Sequence, residues 1–175
     1  MEERIGPITE TKAFEQLGLL VLDGSGSMGE PGISDQPKAE EINHAVRGLM
    51  SHLRNSRQRE NFHLAVVTYD HRVQTGRLAP TPVTQVDDTA DYNPLEGHGG
   101  ETAIGDALEG AYAVAQAFLN GQSTASRSVV IVVMSDGQNN RGKNPIEVAE
   151  QIKQSGQRIT VCAAGYGRDR GLDEQ

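Results

Sequence analysis

Hydrophobic positions along this chain fall into short continuous runs and into longer stretches with helical spacing, and the two patterns alternate. The first apolar run, LGLLVLD at 17–23, stops at an aspartate followed by a glycine-rich turn, which is typical of a strand buried on both faces. Apolar residues recur at helical spacing over 37–55 and over 103–119. A third helix is predicted over 144–156, because this segment begins with an Asn-Pro pair of the capping kind and ends at a glycine.

Four further segments have the short apolar pattern of strands. They are 63–70, 73–79, 128–136 and 158–165. The second follows the first so closely that the two are predicted to pair as an antiparallel edge, and the third, SVVIVVMSD, is the most hydrophobic and is predicted to be central. Residues 80–100 are rich in Pro, Thr, Asp and Gly and are predicted to form a loop with at most a short helix.

Strands that alternate with helices predict an α/β fold: a doubly wound, mainly parallel sheet with helices on both faces and one antiparallel edge strand. Right-handed crossovers place the 63–70 strand on one side of the first strand and the 128–136 strand on the other. The strand order reverses there, and ligands bind at such points, outside the carboxyl ends of the strands. Asp23 and Asp136 stand at the two strand ends that flank this crevice.

Oxygen-bearing side chains collect at the predicted crevice. Asp23, Ser25 and Ser27 alternate with glycines, so that a tight loop can turn all three toward one point. Thr102 follows a second glycine-rich loop at the start of the second predicted helix, and Asp136 ends the central strand. Hydroxyl and carboxylate oxygens are hard ligands that suit Mg²⁺ or Mn²⁺ better than zinc or copper. The cluster therefore predicts a divalent-cation site with one coordination position open to an incoming carboxylate.

These segments resemble the von Willebrand factor A domain. D-G-S-G-S at 23–27, Thr102 in G-E-T-A-I-G-D-A-L and Asp136 in S-D-G match the metal-ion-dependent adhesion site of that family in composition, order and spacing. The resemblance implies a sheet of strand order 3-2-1-4-5-6, one divalent cation on top, and a protein partner that donates Asp or Glu as the last ligand. It also implies the residues that hold the cation, directly or through water: Asp23, Ser25, Ser27, Thr102 and Asp136.

Within this family the chain is most similar to bacterial intracellular members such as the proteins associated with tellurite resistance, a similarity carried by the GETAIGDAL and VVTYD segments. Glu101 departs from the family pattern, because a small residue is common directly before Thr102. It either adds negative charge beside the predicted cation or is a solvated loop charge. The other charged residues near the predicted site are interpreted as structural or solvated (Asp70, Asp106, Glu109) or as a loop contact (His98).

The domain boundaries follow from the same resemblance. Residues 1–16 are predicted to be an N-terminal extension, and 17–175 a von Willebrand factor A domain that is incomplete at its C-terminus. Residues 173–175 have the composition of a first helical turn, and a fifth strand without a neighbour would leave Ile159 and Val161 exposed at an open edge. We therefore expect these residues to be part of a longer chain, or the edge to be covered by another segment or copy.

Composition narrows the classes of function. The 175 residues suffice for one domain, and a formal charge of −8 without a basic stripe argues against nucleic-acid binding. No stretch has the length and hydrophobicity of a membrane span or a signal peptide, so no membrane contact is predicted. The single cysteine, Cys162, is predicted to be a small buried strand residue, and its isolation favours a reducing, cytoplasmic compartment. None of these features determines the oligomeric state.

Three other functions compete with metal-dependent binding of a protein partner. A serine hydrolase is disfavoured because neither Ser25 nor Ser27 fits the G-x-S-x-G pattern and no histidine follows in the order that such hydrolases use. A metal-dependent phosphatase would want an acid at position 25, and a phosphate-binding loop would want a G-x-G-x-x-G or G-x-x-x-x-G-K pattern that 24–30 lacks. A scaffold whose metal is purely structural stays open.

Overall fold

The computed structural model describes residues 14–166, and they fold into one mainly parallel sheet with helices on both faces. The strands are β1 (Phe14–Asp23), β2 (Phe62–Tyr69), β3 (Val73–Pro82), β4 (Ser126–Ser135) and β5 (Ile159–Gly165). The α-helices are α1 (Lys38–Arg54), α2 (Ile104–Asn120) and α3 (Pro145–Gln154), and short 3₁₀ turns lie at Gly26–Gly29, Arg59–Asn61 and Val83–Gln85. Within this part of the chain no helix is both long enough and apolar enough to cross a membrane.

The five strands lie in the order β3-β2-β1-β4-β5. β1 runs parallel to β2 and β4, β4 runs parallel to β5, and β2 pairs antiparallel with β3 at one edge. The predicted fold class, the place of the first strand between the second and the fourth, and the antiparallel edge are therefore confirmed. Because β1 and β4 are parallel neighbours, with Leu22 opposite Met134, their carboxyl ends meet at one edge of the sheet.

β1 is buried on both faces, which explains its continuous apolar run. Leu17, Leu19 and Val21 pack in a cluster with buried residues of α2 and α3, whereas Leu20 and Leu22 pack in a cluster that includes α1. All five residues are at most 4% exposed. Burying a large apolar side chain stabilises the fold by about 1.5–3 kcal/mol relative to leaving it in water. The packing of β1 thereby fixes the position of its last residue.

The edge strand β5 differs from the expectations drawn from the sequence. Ile159 and Val161, expected to be exposed, are half-buried because they pack against the cluster that contains α2 and α3. Cys162, predicted to be buried, is exposed. Side chains alternate between the two faces of a strand, so Cys162 lies on the face opposite α3.

Several predicted boundaries also change. β1 begins at Phe14, so three residues of the predicted N-terminal extension belong to the first strand. β3 continues to Pro82, so the predicted 80–100 loop begins later than expected. The predicted helical turn at 173–175 lies outside the described residues, and the division of the chain at 16/17 stays a prediction.

The start of α3 confirms the predicted cap. Asn144 Oδ1 accepts a hydrogen bond from Ile146 N at 2.9 Å, and Pro145 occupies the first turn, where a missing N–H costs nothing. Gly156 follows the helix with φ at 67°, the left-handed conformation that commonly ends a helix. These local signals fix both ends of the helix that covers β4 and β5.

Asn144→Ala removes the acceptor that caps α3. We expect the free energy of unfolding to fall by about 1 kcal/mol, and Asn144→Asp, which keeps an acceptor oxygen, to stay near wild type. Urea unfolding of the three proteins measures the difference. Equal stability of Asn144→Ala and wild type would show that the cap contributes nothing measurable.

Candidate metal centre

Asp23 ends β1 with both carboxylate oxygens engaged. Oδ1 accepts a hydrogen bond from Ser25 N at 2.7 Å, and Oδ2 accepts one from Ser135 Oγ at 2.6 Å. The residue is fully buried. Burial raises the pKa of the Asp23 carboxyl; the two hydrogen bonds oppose that shift and the nearby Asp136 charge adds to it. Asp23 is thus an oriented carboxylate at the edge of the sheet.

Two serines connect the turn after β1 to Asp136. Ser27 Oγ donates a hydrogen bond to Asp136 Oδ1 at 2.8 Å, and Ser25 Oγ lies 3.2 Å from Ser27 Oγ. Because the single hydroxyl hydrogen of Ser27 is directed at Asp136, Ser25 is the donor to Ser27. Four of the five residues predicted to bind the cation are therefore joined, through Ser25, in one hydrogen-bonded set.

Close backbone contacts bring the second glycine-rich loop onto this turn. Gly26 N donates to Gly100 O at 3.1 Å. A Cβ atom at Gly24 would collide with the carbonyl oxygen of Pro94, so a residue without a side chain is required there. The glycines that alternate with Asp23, Ser25 and Ser27 thus allow the two loops to approach each other.

Thr102, the fifth predicted ligand, is held through its backbone. Its N–H donates to Asn140 Oδ1 at 2.8 Å, and its carbonyl oxygen accepts from the N–H groups of Asn140 and Arg141 at 3.1 and 3.3 Å. Thr102 is 5% exposed. The neighbouring Glu101 pairs with Arg141 at 2.5 Å, and its side chain is 57% exposed, which favours the interpretation as a solvated loop charge. The start of α2 is therefore fastened to the loop that follows Asp136.

Asp70, interpreted from the sequence as structural or solvated, is fully buried directly after β2. Its Oδ1 accepts a hydrogen bond from Arg72 N at 2.8 Å and lies 3.0 Å from His98 Nδ1, and its Oδ2 accepts from Gly100 N at 3.1 Å. His98 also contacts Thr68, with Nε2 3.0 Å from Oγ1. Burial acts to raise the pKa of Asp70, but His98 and the two backbone N–H groups outweigh it and hold this pKa well below its usual range. Asp70 thus anchors the glycine-rich loop to β2.

Lys38, at the start of α1, forms an ion pair with Asp136. Lys38 Nζ lies 2.7 Å from Asp136 Oδ2 and 3.4 Å from Glu30 Oε2. The Asp136 side chain is 2% exposed and that of Lys38 13%. Burial acts to lower the pKa of Lys38, but the Asp136 and Glu30 carboxylates outweigh it and raise this pKa above its ordinary value. A protein ammonium therefore lies on one of the predicted ligands.

A sequence profile of the von Willebrand factor type A domain matches residues 19–174, which is most of the chain. The chain belongs to this family. Among curated proteins, no sequence matches it. The family resemblance of the sequence is thereby confirmed, whereas the narrower likeness to proteins associated with tellurite resistance stays a prediction.

Solved structures share the fold of this von Willebrand factor A domain. The PilB minor pilin from Streptococcus sanguinis aligns with a TM-score of 0.58 at 16% identity, over 75% of this chain and 31% of that chain. Proximal thread matrix protein 1 from the mussel byssus, with a zinc-occupied MIDAS motif, aligns with a TM-score of 0.59 at 19% identity, over 89% and 39%. An aerotolerance-related membrane protein from Bacteroides fragilis NCTC 9343 aligns with a TM-score of 0.54 at 21% identity, over 90% and 74%. At these identities the likeness shows the fold alone, and the chain spans about a third of the length of the minor pilin.

Sequence analysis missed three residues of the domain that surround the two aspartates. A lysine in the first turn of a helix opposes the helix dipole, so Lys38 carried a detectable signal of a nearby acid. Ser135 carried no such signal, because a serine at the end of a strand is common. Tyr69 pairs with Asp23 across β1 and β2, and its burial, together with the Asp23 charge, raises the pKa of the Tyr69 hydroxyl well above its ordinary value.

The donor set fits a hard cation. Between residues 14 and 166 no group of three or more His, Cys, Asp or Glu side chains is placed to hold a metal ion. The two carboxylates at this edge, Asp23 and Asp136, are accompanied by serine hydroxyls. Carboxylate and hydroxyl oxygens match the preference of Mg²⁺, whereas zinc favours nitrogen and sulfur ligands.

Asp70→Asn tests whether the buried carboxylate anchors the loop as a charged group. The folded pKa of Asp70 lies below its unfolded value, so its stabilising contribution is present above the unfolded pKa and is lost as pH falls toward the folded pKa. We expect the free energy of unfolding of wild type to fall more steeply than that of Asp70→Asn between about pH 5 and pH 3. Urea unfolding at stepped pH measures both slopes.

The control for this measurement is Asp88→Asn, because Asp88 is a partly exposed carboxylate paired with Arg54 at the surface. Its pH profile is expected to follow that of wild type. Parallel profiles for Asp70→Asn and wild type would contradict the anchoring role of the Asp70 charge.

Proposed function

We propose that this chain is a divalent-metal-dependent protein-binding module that captures an acidic side chain of a partner. The observation that carries the proposal is the hydrogen-bonded set of oxygens at the carboxyl ends of β1 and β4, in which Ser25 and Ser27 link the turn after Asp23 to Asp136. Ligands bind at this point of open α/β sheets. Membership of the von Willebrand factor type A family supports the same assignment.

The residues proposed to hold the cation are Asp23, Ser25, Ser27, Thr102 and Asp136. Two carboxylates balance the two charges of Mg²⁺ or Mn²⁺, and neutral hydroxyls supply further oxygen ligands without adding charge. The bound cation supplies a fixed positive charge for an incoming Asp or Glu side chain. Ser135 and the backbone N–H of Ser25 keep Asp23 oriented for that task.

The competing enzyme functions have less support. The side-chain hydrogen bonds described for Ser25 and Ser27 run between the two serines and to Asp136, with no histidine among these partners. A serine nucleophile needs a base that takes its proton, most often an imidazole. His98, the histidine that lies against this site, is engaged with Thr68 and Asp70 instead. A hydrolase, a phosphate-binding domain and a scaffold with a structural metal are therefore outcomes of the tests below.

The biological setting stays a prediction. The resemblance favours a bacterial stress-response or tellurite-resistance-like system, and the isolated Cys162 favours the cytoplasm. Solved structures of the same fold include a minor pilin and a pilus adhesin, so the fold by itself does not select a compartment. The net charge of −8 supports a partner other than nucleic acid.

Mg²⁺ or Mn²⁺ should stabilise the folded domain. A ligand bound by the native state alone stabilises by mass action, about 2.7 kcal/mol at a hundredfold excess over Kd. We expect a rise in melting temperature for wild type in Mg²⁺ relative to EDTA, and no rise for Asp23→Asn or Asp136→Asn. Asp88→Asn, with its carboxylate at the surface, is the matched control and should respond like wild type. A full Mg²⁺ response of both site variants would show that the site is misassigned.

Capture of a partner should depend on the cation and on Thr102. In affinity enrichment with Mg²⁺ or with chelator, the specific partner is expected to be lost with chelator and weakened by Thr102→Ala. Replacement of one Asp or Glu of that partner by its amide should abolish binding. Hydrolysis of ester or phosphate substrates by the purified domain, abolished by Ser27→Ala, would instead support the enzyme function.

A further inference from the structure

Lys38 gives Asp136 a cation that the protein itself supplies. The ammonium nitrogen lies 2.7 Å from Asp136 Oδ2, while Oδ1 of the same carboxylate accepts the hydrogen bond from Ser27. Both oxygens of Asp136 are therefore engaged by the chain. A carboxylate that is 2% exposed requires such compensation, because a buried charge without a partner is strongly unfavourable.

The backbone of Lys38 is fixed, whereas its side chain has a second acid within reach. Lys38 N donates to Glu30 O at 3.0 Å, and a β-bridge between Pro31 and Pro37 closes the loop that precedes α1. The Glu30 carboxylate lies 3.4 Å from Lys38 Nζ, and its side chain is 69% exposed. Rotation about the flexible lysine stem can therefore transfer the ammonium from Asp136 to Glu30 without displacement of α1.

We propose that Lys38 is a tethered competitor of the divalent cation for Asp136. The inference rests on the proposed metal-binding function. A divalent cation and the Lys38 ammonium repel each other when both lie against one carboxylate, so binding of the cation drives the ammonium toward Glu30. Without a divalent cation, Lys38 stabilises the buried carboxylate; with one, it lowers the affinity of the site. The charge at position 38 thus sets the cation concentration at which the domain becomes competent to bind its partner.

Lys38→Met tests the competition, because it removes the charge and keeps a flexible side chain of similar bulk. Isothermal titration with Mg²⁺ is expected to show about tenfold tighter binding, or more, than in wild type. In EDTA the melting temperature of Lys38→Met should lie below that of wild type, since Asp136 loses its partner. That difference should shrink or reverse as Mg²⁺ is added, which a merely structural role of Lys38 would not produce.

Lys153→Met is the matched control, because it makes the same change in net charge at an exposed position of α3. It should bind Mg²⁺ as wild type does. Lys38→Gln, which keeps a donor for Asp136, is the second variant if Lys38→Met does not fold, and the same tightening is expected of it.

The outcomes separate this inference from the proposed function. Equal Mg²⁺ affinity of wild type and the Lys38 variants, with binding lost in Asp136→Asn, overturns the competition and leaves the metal site intact. Binding of Mg²⁺ by Lys38→Met but not by wild type supports the competition and overturns metal-dependent function of the natural sequence. Absence of Mg²⁺ binding in all of these proteins overturns both.

Discussion

Two buried carboxylates beside each other set the requirement that the surrounding structure meets. Parallel pairing of β1 with β4 brings Asp23 and Asp136 to one edge of the sheet, where Asp23 is fully buried and the Asp136 side chain is 2% exposed. Burial and like-charge repulsion both disfavour the ionised forms. Hydrogen bonds from Ser135 and Ser27 and the ammonium of Lys38 offset part of that cost. A divalent cation is the ligand that would neutralise both charges together.

The loops around these carboxylates are held by bonds to the ends of three strands. Asp70 joins the end of β2 to the glycine-rich loop, and Gly26 joins the turn after β1 to the same loop. Thr102, at the end of that loop, is bonded in turn to Asn140 in the segment after β4. These contacts orient the side-chain oxygens in advance, so less ordering is required when a ligand binds.

The sequence was sufficient to predict the sheet and the two aspartates, because the apolar run before Asp23 and the hydrophobic strand before Asp136 fix where each strand ends. It was insufficient for contacts that depend on how loops fold back. Lys38 meets Asp136 through the closure of the loop before α1, which no local pattern records. Pro80 and Pro82 indicated a loop, yet an edge strand tolerates proline, because an outward N–H is not needed for pairing. The exposure of Cys162 depends on which elements cover the edge strand β5, and that is a tertiary property.

The most direct test of the metal site is a crystal structure of the wild-type protein grown with Mn²⁺ and measured at a wavelength where manganese scatters anomalously. The account predicts one strong anomalous peak at the carboxyl edge of the sheet, within coordinating distance of oxygens of Asp23, Ser25, Ser27, Thr102 and Asp136, directly or through water. A carboxylate of a neighbouring molecule or of a bound peptide on the same ion would agree with the proposed capture of an acidic side chain. No peak at this edge, with the Lys38 ammonium still on Asp136 at saturating Mn²⁺, would contradict it.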